Sequence, residues 1–233
     1  MFAVGPTFFS NPGDHPAGDG LTIFQTAFAG GVSNDISVSN LGAGVELGPG
    51  IKAAGYYEAD FDAVSTFNRG IVWYADADLS LGTGNPLTCE MFFTCIELVS
   101  NPASSGKIFQ LQFGTPILDV YLQPFTGSIN PIGFAYGGTT FSSTTDAFDI
   151  VIRHLAMVYR PSNTLDTYLD GTRLHTLSGT AGAADGQIQM GGSNTVYADR
   201  WRMQYRGGRV RRAEVYSGAS FTPPASPAAW GPP

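Results

Sequence analysis

The sequence predicts an all-β protein, built as a β-sandwich or jelly roll in one domain. Roughly a dozen short apolar segments recur at about 8–15-residue spacing, and none of them shows a helical period. Thirty glycines and fifteen prolines supply turn residues between these segments and leave few stretches that could sustain a helix. A chain of 233 residues is long enough for one large β-domain, which can bury roughly 70–75% of its unfolded surface.

The segment 152–177 gives the clearest local prediction, a meander of three strands. Residues 155–159 are apolar at every position, which is typical of a central strand that is covered on both faces. Pro161 then breaks the strand with turn chemistry. After the second strand, Asp170-Gly171 predicts a two-residue hairpin turn, in which both residues take positive φ.

The other elements follow in order along the chain. Before the meander we predict strands within segments 21–28, 35–41, 44–47, 55–67, 71–74, 87–99, 107–113, 117–122, 132–136 and 147–151. After the meander we predict strands at 186–192, 201–206 and 210–216, with a turn at Gly207-Gly208 between the last two.

Both ends of the chain are rich in glycine or proline and carry aromatic residues. We therefore divide the chain into an extended N-terminal arm (1–20), a sandwich (21–220) and a proline-rich C-terminal tail (221–233). Aromatic arms of this kind are suited to clamping neighbouring subunits by strand addition or pocket insertion. The aromatic residues that we expect to bind a partner are Phe8, Phe9, Phe221 and Trp230.

The net charge indicates which classes of partner the protein can bind, and the cysteines indicate the cellular compartment in which it folds. The net charge of −7 argues against general affinity for nucleic acid. Cys89 and Cys95 share one apolar run, and on a continuous strand their Cα atoms would be about 20 Å apart. A disulfide needs less than about 7 Å, so we expect two free thiols, which are typical of folding in the cytoplasm. The first residues lack the features of a signal peptide, and no apolar run is long enough for a membrane-spanning helix.

Four short motifs and one long strand carry a family resemblance. The motifs are 154–159 (His-Leu-Ala-Met-Val-Tyr), 168–171 (Tyr-Leu-Asp-Gly), 188–192 (Ile-Gln-Met-Gly-Gly) and 208–216, and the strand is 87–97. In this order they resemble the laminin-G-like, concanavalin A-like jelly roll, a domain of the kind found in phage virion structural proteins. The resemblance implies a β-sandwich of two antiparallel sheets and a function centred on binding or adhesion.

Two groups of carboxylates are candidate binding residues. Glu58, Asp60 and Asp62 alternate with apolar residues, so they share one face of a strand. Three interpretations of that face are open. It is a solvated surface, it contacts a glycan or calcium, or it contains an acid/base pair. Asp76 and Asp78 lie in a predicted loop, where they either cap turns or bind calcium, as some members of the resembling family do. The sequence contains no zinc-ligand spacing and no cofactor motif.

Half of the chain's cations lie in one short stretch near the C-terminus. These six of the twelve cationic residues are Arg200, Arg202, Arg206, Arg209, Arg211 and Arg212. Arginine suits paired contacts with carboxylates, so the stretch predicts either a solvated or internally paired hairpin or a docking surface for an acidic protein. The overall charge disfavours nucleic acid. Trp201 and Tyr205 fall on the opposite strand face, where we expect them to pack in the core.

The dispersed histidines and the lack of a nucleophile motif favour a non-enzymatic protein. We expect His154 and His175 to be structural. The function that we expect is that of a bacteriophage capsid decoration or fibre-associated subunit, located on the virion and made in the host cytoplasm. It would dock on other virion proteins, associate with itself and bind glycans through exposed loops. The alternative is a secreted glycan-binding lectin or a glycoside hydrolase of the same fold.

Overall fold

The computed structural model confirms the all-β prediction. It describes residues 22–26, 45–47, 50–53, 56–60, 71–76, 85–99, 106–113, 115–122, 131–146, 151–180, 186–190 and 200–230. Within these stretches there are fifteen strands and one short 3-10 helix. In the same stretches, no helix is long and apolar enough to cross a membrane. The predicted strand at 35–41 and the predicted arm at 1–20 lie outside the described residues.

The strands form two antiparallel sheets. Their bounds are β1 Thr22–Thr26, β2 Val45–Leu47, β3 Gly50–Ala53, β4 Tyr56–Asp60, β5 Ile71–Asp76, β6 Leu87–Val99, β7 Gly106–Phe113, β8 Thr115–Leu122, β9 Pro131–Tyr136, β10 Thr139–Asp146, β11 Arg153–Arg160, β12 Thr164–Leu169, β13 Thr172–Ser178, β14 Gly186–Met190 and β15 Arg200–Arg211. Sheet A has the order β13-β12-β11-β6-β15-β4-β3, and β1 also pairs with β15. Sheet B has the order β10-β9-β8-β7-β14-β5-β2.

The core lies between the two sheets and contains buried residues from both of them. Met91 and Phe93 of β6 are fully buried, as is Phe134 of β9. The rings of Tyr136 in sheet B and Tyr159 in sheet A meet edge to face at 6.3 Å. This contact across the two layers shows how the apolar alternation of the sequence becomes a packed sandwich.

Both cysteines lie on β6 as buried thiols that form no disulfide, as the spacing predicts. Burial raises the pKa of Cys89 to about 12. Since the thiolate is the reactive form, this thiol is inert packing rather than a nucleophile.

The predicted meander is confirmed as β11, β12 and β13. Asp170 and Gly171 have φ values of 50° and 78°, as the two-residue turn requires. Asn163 also takes positive φ, at 60°, in the turn between β11 and β12. Short polar side chains tolerate this left-handed region better than branched ones do.

The predicted turn between the strands at 201–206 and 210–216 is wrong. The pair Gly207-Gly208 does not turn the chain, because both residues sit inside β15, opposite Phe92 and Met91 of β6. A bulge between Tyr205 and Gly207 absorbs the irregularity, and the strand ends at Arg211 instead of continuing to residue 216.

The sequence analysis also missed a strand at the edge of sheet B. The strand β10 follows the turn at Gly137-Gly138 directly, at residues where no strand was predicted. Because β10 is an edge strand with most of its residues exposed, serine and threonine replace the apolar pattern. Val151 is 55% exposed and precedes β11, and residues 147–150 lie outside the described part of the chain.

Candidate functional site

Three neighbouring strands bring charged side chains together on the face of sheet A that points away from sheet B. Glu90 lies on β6, His154 on β11 and Arg209 on β15. The ladder pairs Arg209 directly with Glu90 and pairs His154 with Phe92, two positions along β6. Residues two positions apart share a strand face, so the three polar groups meet.

The Glu90 carboxylate is the centre of this group and is fully buried. Nε and Nη2 of Arg209 both donate to its Oε2, at 2.8 and 2.7 Å. Nε2 of His154 lies 3.2 Å from Oε1, and the imidazole is the donor because an ionised carboxylate can only accept. The Tyr216 hydroxyl also donates to Oε1. These four residues are called the Glu90 cluster below.

The cluster keeps Glu90 ionised despite its burial. Burial alone would raise the pKa of Glu90, but the hydrogen bond from His154, the charge of Arg209 and the hydrogen bond from Tyr216 together lower it below the ordinary value of 4.5. Burial and the nearby Glu90 charge raise the pKa of Tyr216, so its hydroxyl stays protonated and donates. The charge on Glu90 is therefore compensated inside the protein.

Tyr216 belongs to the C-terminal segment, residues 212–230, which crosses the outer face of sheet A after β15. Its ring stacks on Phe221, with centroids 3.7 Å apart and planes within 6°. Phe221 in turn meets Tyr168 at 5.2 Å. The fully buried residues beneath these rings are Ala156, Val158 and Tyr168. The segment thus covers an apolar patch that a solvated sheet would expose.

Trp230 covers the opposite side of the cluster. It ends the 3-10 helix Pro227–Trp230. Its ring lies 5.3 Å from the ring of Phe92, and the Arg209 guanidinium carbon is 5.1 Å from its centroid. The arginine therefore contacts both a carboxylate and an aromatic ring, which suits its planar cation.

Hydrogen bonds hold the C-terminal segment along its length. Oγ1 of Thr88 donates to the carbonyl of Ala213 at 2.6 Å and accepts from the amide of Val215 at 3.2 Å. Further along, the amide of Phe221 donates to the carbonyl of Gly171 at 2.8 Å. The segment is fixed to β6 near its start and to the hairpin turn near its middle.

A second ion-pair group lies at the end of β11. Arg160 donates to Asp166 of β12 at 2.6 Å and to Glu214 of the C-terminal segment at 2.9 Å. Burial would raise the pKa of Asp166, but hydrogen bonds from Thr176 and Arg160 lower it. This group ties the same segment to a third point on sheet A.

The Glu90 cluster contains acid and base groups, but its geometry leaves no room for a substrate. Both oxygens of Glu90 accept hydrogen bonds from the chain itself, and His154 is 2% exposed. Removing any one partner would leave a buried polar group uncompensated. What this arrangement does is anchor the C-terminal segment to the sheet.

Three residues that the sequence assigned to partner binding have side-chain contacts within the chain. The side chain of Arg209 is 10% exposed and pairs with Glu90, as the internally paired alternative predicts. Phe221 and Trp230 use their rings within the chain, against Tyr216 and Phe92. An aromatic residue covers its own sheet when an apolar patch lies within reach, because this buries surface without a partner.

The other arginines stay candidates for docking. Arg206 donates to Gln204 at 2.9 Å and is partly exposed, as are Arg211 and Arg212. Arg200 and Arg202 lie on β15, but their side chains are outside the described residues. Within the described part of β15, Tyr205 is fully buried, as the alternation predicts.

The predicted carboxylate face is seen only in part. Glu58 and Asp60 lie on β4, opposite Gln204 and Arg202 of β15. Asp76 ends β5 instead of lying in a loop. The described residues contain no group of three ligands that could hold a metal ion, so a calcium site stays a prediction. The remaining candidates, Asp62, Asp78, Phe8 and Phe9, lie outside the described residues.

Both described histidines have structural contacts. His154 belongs to the Glu90 cluster, and the His175 ring stacks on Phe141 of β10 at 4.1 Å, with planes within 6°. This stack joins the edge strands of the two sheets.

Sequence reasoning missed Glu90, although one signal marks it. Glu90 sits within the apolar run Leu87–Val99, where a charged residue is rarely buried without a partner. The identity of the partner could not be read, because Arg209 lies 119 positions away.

Comparisons with known proteins show the fold and no family. No family model matches the sequence, and no curated protein matches it. The structure of Trypanosoma rangeli sialidase in complex with sialic acid is similar to the chain, with 12% identity and a TM-score of 0.59, over 84% of this chain and 31% of the sialidase. The chain thus spans about a third of the sialidase.

Structures of a toxin and of a polysaccharide lyase are also similar to the chain. Two botulinum neurotoxin structures are 10% identical to the chain, with TM-scores of 0.55 and 0.54, over 84% of this chain and 49% of theirs. Alginate lyase AlgAT5, of polysaccharide lyase family 7, is 9% identical, with a TM-score of 0.52, over 67% of this chain and 78% of the lyase. The chain therefore has a jelly-roll β-sandwich fold of two antiparallel sheets, as predicted.

Proposed function

We propose that this chain is a non-enzymatic binding module and that its ligand is a glycan. The observation that carries the non-enzymatic part is the closure of the Glu90 cluster. An acid–base site must reach its substrate, yet Glu90 is fully buried beneath the protein's own C-terminal segment. The buried charges of this cluster serve the fold.

Structural neighbours support glycan as the ligand class. The sialidase structure contains sialic acid, and one neurotoxin structure concerns cell entry that depends on two ganglioside molecules. The lyase is named for alginate. The other neurotoxin structure contains rat synaptotagmin II, so a protein ligand is the competing class. A shared fold does not transfer a ligand, and the proposal therefore depends on a direct test.

A more specific proposal is that the chain is a bacteriophage capsid decoration or fibre-associated subunit. It rests on the family resemblance of the sequence, and none of the structural neighbours named above is a virion protein. Antibody labelling of phage particles by electron microscopy would test it. Labelling at regular positions on the particle would support a capsid decoration or fibre-associated subunit, and its absence from intact particles would overturn that location.

The glycan proposal is tested by measuring binding and cleavage together. The protein is mixed with insoluble polysaccharides and sedimented, and the supernatant is assayed for new reducing ends and for unsaturated lyase products. Binding without either product is the expected result. Release of products that Glu58→Gln abolishes would identify an enzyme instead. A protein that sediments with no polysaccharide would overturn the glycan assignment.

A further inference from the structure

A row of mostly polar residues crosses the outer face of sheet B, and no role has been assigned to it above. The strand ladders place one residue of each strand side by side across the whole sheet, without a bulge at any of these pairs. In strand order from β2 to β10, the row consists of Glu46, Val72, Gln189, Gln110, Asp119, Ala135 and Thr140. Strands lie about 4.8 Å apart, so seven strands make a row roughly 29 Å long.

Burial at the β9 end shows which way the row faces. Phe134 and Tyr136, on either side of Ala135, are buried in the core. Ala135 itself is partly exposed and Thr140 is exposed. Because neighbouring residues of a strand occupy opposite faces, the row belongs to the face turned away from sheet A.

Glutamines are concentrated on this face at the centre of the sheet. Besides the Gln189–Gln110 pair, the ladder pairs Gln187 with Gln112, two positions along the same two strands. The sequence shows this directly as Gln-Leu-Gln in β7 and Gln-Ile-Gln in β14. Four amide residues thus occupy a two-by-two block on adjacent strands.

An aromatic ring lies beside the block. Tyr121 of β8 stands opposite Gly133 of β9, and its ring occupies the space above that glycine, so that a Cβ at Gly133 would collide with it. Tyr121 is partly exposed and Ser142, opposite Gly133 on β10, is exposed. The glycine lets the ring lie flat against the sheet instead of standing away from it.

We propose that this face, from the glutamine block to Tyr121, is the glycan-binding surface and that it takes a neutral glycan. The inference rests on the proposed function and names its site. An amide offers both a donor and an acceptor, which matches sugar hydroxyls, and it brings no charge to desolvate. A tyrosine ring supplies apolar surface with a polar end, as ligand sites commonly use.

Charge decides between neutral and anionic sugars. Glu46 and Asp119 belong to the row, and the whole chain carries a net charge of −7. Lys107 lies opposite Tyr121 in the ladder between β7 and β8. The negative net charge would repel an acidic polysaccharide, whereas it would not repel a neutral one.

Affinity electrophoresis of the full chain tests the inference. The gels contain either a neutral polysaccharide (dextran, laminarin, galactomannan or xyloglucan) or alginate. The double variant Gln110→Ala/Gln189→Ala removes two amides of the block, and Gln204→Ala, on sheet A, is the matched control. Circular dichroism and thermal melting confirm that each variant is folded.

At least one neutral gel should retard the wild-type chain and the control equally, and the double variant should lose at least tenfold in affinity. Unchanged retardation of the folded double variant would overturn this site while leaving the proposed function intact. Retardation by alginate alone would overturn the neutral-glycan assignment. A wild-type chain that no gel retards would overturn both the site and the proposed function.

Discussion

The Tyr216 hydroxyl donates a hydrogen bond to Oε1 of Glu90, a residue 126 positions earlier in the chain. This bond joins the C-terminal segment to the central strand of sheet A, and the other oxygen of the same carboxylate holds Arg209. The protein's own C-terminal segment therefore covers part of the outer face of sheet A. Each of these relationships has a measurable consequence.

Replacing Glu90 should destabilise the fold strongly. In Glu90→Ala, the Arg209 guanidinium loses its carboxylate while most of its surface stays buried, which we expect to lower the free energy of unfolding by about 3–5 kcal/mol. The matched control is Glu214→Ala, because that carboxylate is 39% exposed and pairs with Arg160, at an expected cost of about 0–1 kcal/mol. Urea denaturation measures both, and equal losses would contradict the anchoring role of Glu90.

The Tyr216 hydroxyl should contribute more to stability than the hydroxyl of Tyr159, a buried core tyrosine. Tyr216→Phe removes a hydrogen bond to a charged group, and we expect a loss of about 1.5–3 kcal/mol. Tyr159→Phe removes a long bond of 3.4 Å to Asn163, and we expect less than about 1 kcal/mol. Amide hydrogen exchange should show faster exchange in residues 212–230 for the first variant only. The same exchange pattern in both would argue against a specific anchor.

Stability should fall in acid. The pKa of Glu90 and that of Asp166 are both lowered in the folded protein, so protons bind more readily to the unfolded chain. Their contribution is full above the ordinary values of 4.5 and 3.8 and is lost as the pH falls through the folded values. We expect the free energy of unfolding to decline below about pH 4.5, and less steeply in Glu90→Gln. A variant with the wild-type slope would rule out Glu90 as a source of the acid sensitivity.

Two turn glycines should respond differently to alanine. Gly138 and Gly171 have φ values of 83° and 78°, so either replacement carries backbone strain of about 1–2 kcal/mol. A Cβ at Gly138 meets open space, whereas one at Gly171 would collide with the carbonyl of Phe221. Thermal melting should therefore show a larger loss for Gly171→Ala. Equal losses would mean that the C-terminal segment does not press on this turn.

Local chemistry made the meander predictable from sequence. The Asp170-Gly171 turn and the apolar strand before it carry their signals within a few residues, and the structure confirms both. The glycine pair in β15 was misread because a glycine signals a turn only when no neighbouring strand pairs with it. Strand β6 supplies that pairing from more than a hundred residues away.

The candidate sites were harder to predict because they depend on register. Glu90 and Arg209 meet only once the sheet order is known. The sequence predicted strands at the segments that carry the alternating glutamines of β7 and β14. However, no local signal shows that these two strands are neighbours. The intramolecular contacts of Phe221 and Trp230 could not be predicted, because the sequence does not show which sheet residues lie beneath them.

The most direct test of a non-enzymatic glycan-binding module is a glycan microarray probed with the labelled full chain, followed by calorimetric titration of the best ligand. We expect saturable binding to neutral oligosaccharides, and we expect the oligosaccharide to be chemically unchanged after incubation with the protein. Binding to no glycan, or a bound ligand that is cleaved during the titration, would contradict it.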